Sequence, residues 1–203
     1  IDRFAFTSNN ISYAQAGDAL NYWTFFPAPE GFGSIPVWGF ATVVESKLDD
    51  LAIGELIWGY YPMSTHVVLE PKQLTSRGFI DGAFHRQAQH IIYNQYTRCQ
   101  ADAWHEDGQE DLEALLRPLF ATSWLVDDFL ADQNFFEADT ILLSSASSKT
   151  AYATAVQLQH RANIQVVGLT SAAHQKFCQS LGCYHQVLTY QQLAEIPEDS
   201  KCL

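Results

Sequence analysis

The chain has 203 residues, of which 47% are hydrophobic and 13% aromatic, and its 23 acidic and 11 basic residues give a formal net charge of −12. This composition predicts a folded protein and excludes a largely disordered one. The negative charge argues against binding to nucleic acid or to an anionic membrane, because most of the surface would repel both. No apolar run approaches the roughly 18 residues of a membrane span, and no signal-peptide pattern opens the chain, so we expect a cytoplasmic protein.

The first part of the chain, to about residue 71, has the pattern of short β-strands. Runs rich in Val, Ile, Phe, Trp and Thr, such as residues 35–46 and 55–61, alternate with segments that contain Pro, Gly and Asp. Such a series predicts a small β-barrel or sandwich.

A polar segment near the start, residues 7–13 (TSNNISY), carries side chains that could orient a ligand. Tyr13 could donate a proton there or could simply pack against its neighbours. Asn9 and Asn10 could equally be turn residues, because asparagine readily adopts turn conformations. The sequence pattern leaves both alternatives open.

Residues 81–117 are predicted to form a helical insertion in this first domain. Between residues 81 and 99 the apolar side chains fit one face of a helix; they are Ala88, Ile91, Ile92 and Tyr96. A second amphipathic stretch begins at Glu110 and is predicted to be interrupted by Pro118, which lacks a backbone N–H. The domain boundary is therefore expected between residues 117 and 118.

The second domain, residues 118–203, is predicted to begin with a helix over residues 123–130 that packs through Trp124, Leu125 and Phe129. Strands and helices then alternate, and the strands are uniformly apolar. This alternation predicts a parallel sheet covered on both faces, the first half of a doubly wound α/β fold. The expected elements are a strand at 140–143, a helix at 149–159, a strand at 165–169, a helix at 172–181 and a strand at 186–189.

The turn after the first of these strands has the composition of an anion site. In doubly wound folds this turn faces the phosphates of a bound nucleotide, which rest on the N-terminus of the following helix. The sequence here, SSASSKTA, contains small residues but no glycine, so a serine that only caps the helix is the alternative. The predicted pyrophosphate-binding residues are Ser145, Ala146, Ser147, Ser148, Lys149 and Thr150.

The end of the second parallel strand favours NADP(H) over NAD(H). A protein that prefers NAD usually places an acidic residue there, which binds the ribose 2′-hydroxyl and repels a 2′-phosphate. This chain instead has hydroxyl groups at Thr170 and Ser171 and a cation at Lys176. The alternative is that Ser171 only caps the next helix.

No metal site is predicted. The four cysteines lack the paired spacing of a structural zinc site, and His66, His85 and His90 lack any common ligand spacing. We expect reduced, structural cysteines.

Two stretches of the first domain resemble the barrel signature of the medium-chain dehydrogenase/reductase superfamily. They are SIPVWGFATVVES and LAIGELIWGYY, in which Gly39 and Gly54 stand at the expected turns and Glu55 replaces the usual Asp. Longer stretches, among them FHRQAQHIIYNQYTRC and LLRPLFATSWLVDDFL, are similar to an uncharacterised domain-of-unknown-function family related to the zinc-free, quinone oxidoreductase-like branch of that superfamily.

The resemblance implies a GroES-like partial β-barrel on the substrate side, followed by an incomplete Rossmann-type parallel sheet. It implies NADP(H) as cofactor, hydride transfer to a conjugated carbonyl or quinone without zinc, and a homodimer as one possible assembly. Asn10 matches an asparagine near the nicotinamide and Tyr13 an active-site polar residue, so both are expected to be catalytic. By this resemblance, family members continue past Leu203, and the sequence leaves open whether the chain is a fragment of a longer protein.

Two alternatives stay open at this stage. The same fold could belong to a catalytically silent nucleotide-binding or structural protein, since fold does not determine function. If the serine-rich turn only caps a helix, the chain binds no dinucleotide at all.

Overall fold

The computed structural model describes the whole chain, Ile1 to Leu203. The α-helices are α1 (Ser8–Gln15), α2 (Glu110–Asp132), α3 (Lys149–Leu158) and α4 (Gln175–Ser180). The strands are β1 (Arg3–Phe4), β2 (Pro36–Thr42), β3 (Leu56–Pro62), β4 (Pro71–Lys72), β5 (Gly78–Asp81), β6 (Gln95–Arg98), β7 (Thr140–Leu143), β8 (Gln165–Thr170) and β9 (Gln186–Thr189). Two compact units divide the chain, Ile1–Leu115 and Leu116–Leu203, and the division falls inside α2.

The first unit is built on a six-stranded antiparallel sheet in the order β1-β2-β3-β6-β5-β4. Its central strand, β3, is buried on both faces. Ile57 and Tyr61 pack in one hydrophobic cluster, and Trp58 and Tyr60 pack in two others. Burial on both sides explains why β3 is almost uniformly apolar in sequence. The strand-rich pattern predicted for this region is confirmed.

The helix predicted between residues 81 and 99 is wrong. The chain there forms β5, two short 3-10 helices (Phe84–Arg86 and Ile91–Tyr93) and β6. Tyr96 is buried because β6 pairs with both β3 and β5, whereas Ile91 and Ile92 are exposed. The apparent helical spacing therefore joined residues that share no face, and long-range strand pairing overrode it.

The predicted interruption at Pro118 is also wrong, because α2 runs through it for 23 residues. The predicted packing face of this helix is reversed as well. Trp124, Leu125 and Phe129 are largely exposed, while Ser123 and Asp127 are buried. Each of the two buried polar residues has a partner that offsets the cost of its burial: Ser123 Oγ donates to the carbonyl of Thr150 at 2.9 Å, and Asp127 pairs with Arg161 at 2.6 Å.

The second unit contains a three-stranded parallel sheet in the order β7-β8-β9, as the alternating pattern predicts. The predicted bounds of these strands and of α3 agree with the structure to within one residue. The helix predicted at 172–181 is a 3-10 turn, Ala172–His174, followed by the short α4. Hydrophobic clusters cover both faces of the sheet, one around Ile141 and Val166 and the other around Val167 and Leu188.

The last residues of the chain lie along the edge of β7 that does not pair with β8. Cys202 forms a parallel bridge with Thr140, and backbone hydrogen bonds join Leu203 to Thr140 at 2.9 Å and to Leu142 at 2.8 Å. β7 therefore has backbone partners on both sides. None of the helices combines the length and apolar character needed to cross a bilayer.

Candidate functional site

The turn between β7 and α3 is held over the carboxyl ends of the parallel strands by three hydrogen bonds. The Ala146 N–H donates to the carbonyl of Leu169 at 3.0 Å, and its carbonyl accepts from the Tyr184 hydroxyl at 2.8 Å. The Ser145 N–H donates to the Tyr190 hydroxyl at 3.0 Å, with Ser145 in the left-handed region at φ 50°. β8, the segment before β9 and the segment after β9 thus each contribute one hydrogen bond to this turn.

Close packing of this turn depends on a glycine in the neighbouring strand. A Cβ atom added at Gly168 would lie 3.0 Å from the Cβ of Ala146 and 2.9 Å from the Tyr184 ring. Nucleotide-binding turns commonly use their own glycines to let strand and helix approach. Here the small side chain of Ala146 and the absence of a side chain at Gly168 together provide that space, which explains how a glycine-free turn can pack so closely.

Three backbone N–H groups of the turn remain without an acceptor: those of Ser147, Lys149 and Thr150. They lie at the N-terminus of α3, where unpaired N–H groups and the helix dipole favour an anion. Ser148 is the helix cap, and its Oγ accepts from the Ala151 N–H at 3.3 Å. Ser148 is thus a capping serine, as the alternative interpretation expected. The cap leaves the other three N–H groups free to donate to a bound anion.

The surrounding sequence is free of carboxylates. Residues 140–194 contain no Asp or Glu but include Lys149, Arg161 and Lys176, in a chain whose net charge is −12. No acidic side chain of this stretch would therefore repel a phosphate group bound at the turn.

The residues predicted to bind a 2′-phosphate differ in accessibility. Thr170 is buried at the end of β8, whereas Ser171 and Lys176 are exposed. Ser171 makes no side-chain cap to the helix that follows; its Oγ instead lies 3.0 Å from Nδ1 of His174. Ser171, His174 and Lys176 therefore offer hydroxyl, imidazole and ammonium groups at the surface next to β8.

In the first unit, Asn10 and Tyr13 lie on α1, a helix that the sequence analysis did not predict. Thr7 and Asn10 form a capping box, in which Oδ1 of Asn10 accepts from the Thr7 N–H at 2.7 Å. Nδ2 of Asn10 donates to the carbonyl of Pro36 at 3.0 Å. The Asn10 amide is buried, and both its oxygen and its nitrogen make hydrogen bonds. These bonds fix the start of α1 to β2.

Tyr13 belongs to an aromatic group that we call the tyrosine cluster. Its ring stacks on Tyr22 with centroids 4.4 Å apart, and burial, together with the nearby Tyr22 and Tyr93, raises the pKa of Tyr13 to about 12. Linked ring contacts extend from this pair into the core. The cluster consists of Tyr13, Tyr22, Phe25, Phe26, Trp38, Tyr60 and Tyr93.

A family model described as "Protein of unknown function (DUF2855)" matches residues 4–203. The chain belongs to the DUF2855 family. The predicted membership of a domain-of-unknown-function family is thereby confirmed. A search of curated proteins returned no match.

Solved structures resemble the DUF2855 chain at low sequence identity. The yhdH oxidoreductase from Salmonella enterica, in complex with NADP, is 12% identical with a TM-score of 0.50, over 93% of this chain and 51% of its own. The quinone oxidoreductase from Coxiella burnetii is 13% identical (TM-score 0.46, 97% and 55%), and mycobacterial Rv1454c complexed with NADPH is 15% identical (TM-score 0.47, 97% and 48%). The DUF2855 chain thus spans about half the length of these proteins.

The likeness to the yhdH oxidoreductase concerns the fold. The DUF2855 chain is a mixed α/β protein in which an antiparallel sheet precedes a parallel one, and its fold is similar to that of this oxidoreductase. This confirms the predicted fold class at the level of its two sheet types.

The DUF2855 chain also has one cluster of potential metal ligands that the sequence analysis missed. Ligand atoms of His105, Asp107 and Glu110 lie within 4.8 Å of one another, and the spacing H-x-D-x-x-E was the available signal. His105 contacts Asp107 at 3.3 Å and Glu113 at 3.0 Å, while Glu110 pairs with Arg3 at 3.3 Å. These contacts account for the cluster as a polar network at the start of α2.

Proposed function

We propose that this DUF2855 chain is part of a zinc-independent, NADP(H)-dependent oxidoreductase that transfers hydride to a conjugated carbonyl or quinone. In this proposal residues 1–117 are a GroES-like partial barrel on the substrate side. Residues 118–203 are the first half of a Rossmann-type domain. The observation that carries the proposal is the turn after β7, with three free N–H groups at a helix N-terminus inside a carboxylate-free stretch.

The strand order supports a nucleotide site at this turn. The terminal segment at Cys202, β7, β8 and β9 follow one another across the sheet, all parallel. In doubly wound folds the first strand lies between the second and the fourth, and ligands bind where the order reverses. β7 occupies the position of that first strand, so the turn that follows it would face the ligand.

The residues present fit a dinucleotide phosphate. The N–H groups of Ser147, Lys149 and Thr150 would donate to the pyrophosphate, and the Lys149 ammonium would add a charge-assisted contact. Ser171 and Lys176 would hold the 2′-phosphate, with the buried Thr170 fixing the end of β8 beneath them. The bound cofactor would supply the hydride.

Tyr13 is the proposed proton donor on the substrate side. Its pKa is raised to about 12, so the hydroxyl is protonated at neutral pH, as an ordinary tyrosine also is. It can donate a hydrogen bond to a carbonyl oxygen on which negative charge develops, and it gives up its proton only to a group that has become more basic than itself. Asn10 acts as a positioning residue, since its amide fixes the first turn of the helix that carries Tyr13.

The test is the thermal stability of the protein with NADPH, with NADH and with neither. A ligand that binds only the folded state at about 100 times its dissociation constant adds about 2.7 kcal/mol of stability. We expect NADPH to raise the melting temperature more than NADH does, and Lys176→Gln to remove most of that difference. Gln179→Ala, an exposed change further along α4, serves as the matched control. No rise with either cofactor would exclude the proposed function.

A catalytically silent nucleotide-binding protein is the second candidate. Two observations favour it. The Asn10 amide makes structural hydrogen bonds through both its oxygen and its nitrogen, and the Ser145 N–H already donates to the Tyr190 hydroxyl. Stabilisation by NADPH without NADPH oxidation in the presence of any enone or quinone would support this candidate over the enzyme.

A further inference from the structure

The most unusual charged group of the molecule is Arg86, which is wholly buried. Its guanidinium lies over the Phe26 ring, 4.5 Å from the centroid. Nε donates to Oδ1 of Asn94 at 2.9 Å, and Nη2 donates to the carbonyl of Tyr93. Nη1 has no hydrogen-bond partner, and no carboxylate forms an ion pair with Arg86. A buried cation without an anion is unfavourable, so an anionic partner at Nη1 would be strongly stabilised.

A second buried polar group without a partner belongs to the tyrosine cluster, next to Arg86. The Tyr60 hydroxyl makes no hydrogen bond, although its ring packs against Tyr93 at 5.1 Å and Trp38 at 4.8 Å. Other buried tyrosines of the same sheet are satisfied: Tyr61 donates to the carbonyl of Ile57 at 3.0 Å, and Tyr96 to that of Tyr60 at 2.6 Å. Tyr60 is therefore the exception among them.

Burial and the neighbouring hydroxyls of Tyr13, Tyr22 and Tyr93 raise the pKa of Tyr60, while Arg86 acts in the opposite direction. The rings of Phe25 and Tyr93 connect the two groups. The Phe25 centroid lies 5.6 Å from the Arg86 guanidinium and 5.2 Å from the Tyr60 ring, and Tyr93, whose carbonyl accepts from Nη2, lies 5.1 Å from the Tyr60 ring. Tyr13, Tyr22 and Tyr93 are half-buried, whereas Tyr60 and Arg86 are buried, so ring contacts join the half-buried tyrosines to the two buried groups.

We infer that the tyrosine cluster and Arg86 form a binding site for a planar conjugated carboxylate. The carboxylate would accept from Nη1 of Arg86 and from the Tyr60 hydroxyl, which are the two donors left unused. The conjugated part of the ligand would lie among the rings of Tyr13, Tyr22 and Tyr93, since aromatic faces and edges bind flat π-systems well. This names the substrate class of the proposed reductase, and it rests on the proposed function only for the claim that the bound acid is reduced.

The experiment compares cinnamate with cinnamamide, which share a planar skeleton and differ in charge. Each is titrated calorimetrically into the full chain without NADPH. We expect cinnamate to bind about tenfold or more tightly than cinnamamide, because only the acid supplies an anion to Arg86. Equal affinities, or no binding of cinnamate to the folded protein, would overturn the inference and leave the two buried groups as sites of ordered water.

Tyr60→Phe and Tyr61→Phe form a matched pair of variants. Tyr60→Phe should weaken cinnamate binding by about tenfold while the melting temperature stays equal or rises, because the hydroxyl it removes has no partner in the folded protein. Tyr61→Phe should lower the melting temperature, since a hydrogen bond to Ile57 is lost, and leave cinnamate affinity unchanged. Unchanged cinnamate affinity in Tyr60→Phe would contradict the site.

The two proposals fail separately. Stabilisation by NADPH without selective cinnamate binding would overturn only the carboxylate site. Selective cinnamate binding without any effect of NADPH or NADH would support the carboxylate site and exclude the proposed reductase function.

Discussion

Burial and hydrogen bonding act in opposite directions on the carboxyl group of Glu55. Burial alone would raise its pKa, but hydrogen bonds from Arg98, the Ala52 N–H and the charge of Arg98 hold that pKa below its usual value. Arg98 binds both oxygens, Nη2 to Oε1 at 2.6 Å and Nε to Oε2 at 2.7 Å. This bidentate pair fixes the start of β3 to the end of β6. Glu55 therefore has a structural role at the junction of these two strands.

Glu55→Gln should lower the free energy of unfolding by about 2 kcal/mol at neutral pH, because it leaves the mostly buried Arg98 without a charged partner. The folded pKa lies below the ordinary value of 4.5, so the contribution of Glu55 is fully present above pH 4.5 and is lost as the pH falls below it. Urea unfolding of both proteins at neutral and at acidic pH measures this. A difference between them that does not shrink in acid would contradict the assignment.

Among single residues, the sequence alone allowed some sites to be predicted and not others. Ser148 and its turn could be predicted, because a serine-rich segment after an apolar strand is a local signal. Arg86 and Tyr60 could not, since the absence of a partner becomes visible only when the surrounding chain is folded. Asn10 was identified as a residue of interest, but the hydrogen bond from its Nδ2 to the carbonyl of Pro36 joins residues that are distant in sequence and has no local signal.

Among the elements, α2 departs most from its prediction. Pro118 lies inside the helix, so the carbonyl of Ala114 loses the N–H that an ordinary residue would supply. The helix persists because both halves have tertiary partners, Ala114 in a core cluster of the first unit and Ser123 against Thr150 in the second.

Pro118→Ala should therefore raise the free energy of unfolding by about 1 kcal/mol, because it restores a backbone donor and removes a clash with the preceding turn. Circular dichroism during chemical denaturation gives the free energy directly. Ala121→Gly, at a neighbouring exposed position, is the control and should lower stability by about 1 kcal/mol. Equal or lower stability of Pro118→Ala would show that the proline matches a conformation the helix requires.

The contrast between elements has a physical origin. The strands and helices after Thr140 were predicted closely, because short apolar strands and intervening helices each carry their own period. Residues 81–99 were assigned to the wrong class because β6 exists only through pairing with β3 and β5, and no local pattern encodes that pairing.

For the whole molecule, the tyrosines predict behaviour in alkali. Burial raises the pKa of Tyr13 to about 12 and raises those of Tyr60, Tyr61 and Tyr96 further above the ordinary value of 10. Because these pKa values are higher in the folded than in the unfolded chain, their stabilisation is complete below pH 10 and is lost as the pH rises above it.

Ultraviolet absorbance of tyrosinate, followed as the pH is raised past 10, should therefore show the less buried tyrosines ionising first. The buried ones should ionise later, together with loss of the folded far-ultraviolet circular dichroism signal. Ionisation of all nine tyrosines in one step near pH 10, with the fold intact, would contradict this expectation.

The uneven placement of charge has a consequence for the rates at which any anion reaches the turn after β7. At a distance, an anion experiences the net charge of −12 and is repelled; in contact, it meets a stretch with no carboxylate. Dissolved salt screens both effects, so it lowers the barrier to encounter and at the same time shortens the residence of the bound anion. An equilibrium affinity that hardly changes with ionic strength is thus compatible with large, opposite changes in the association and dissociation rates.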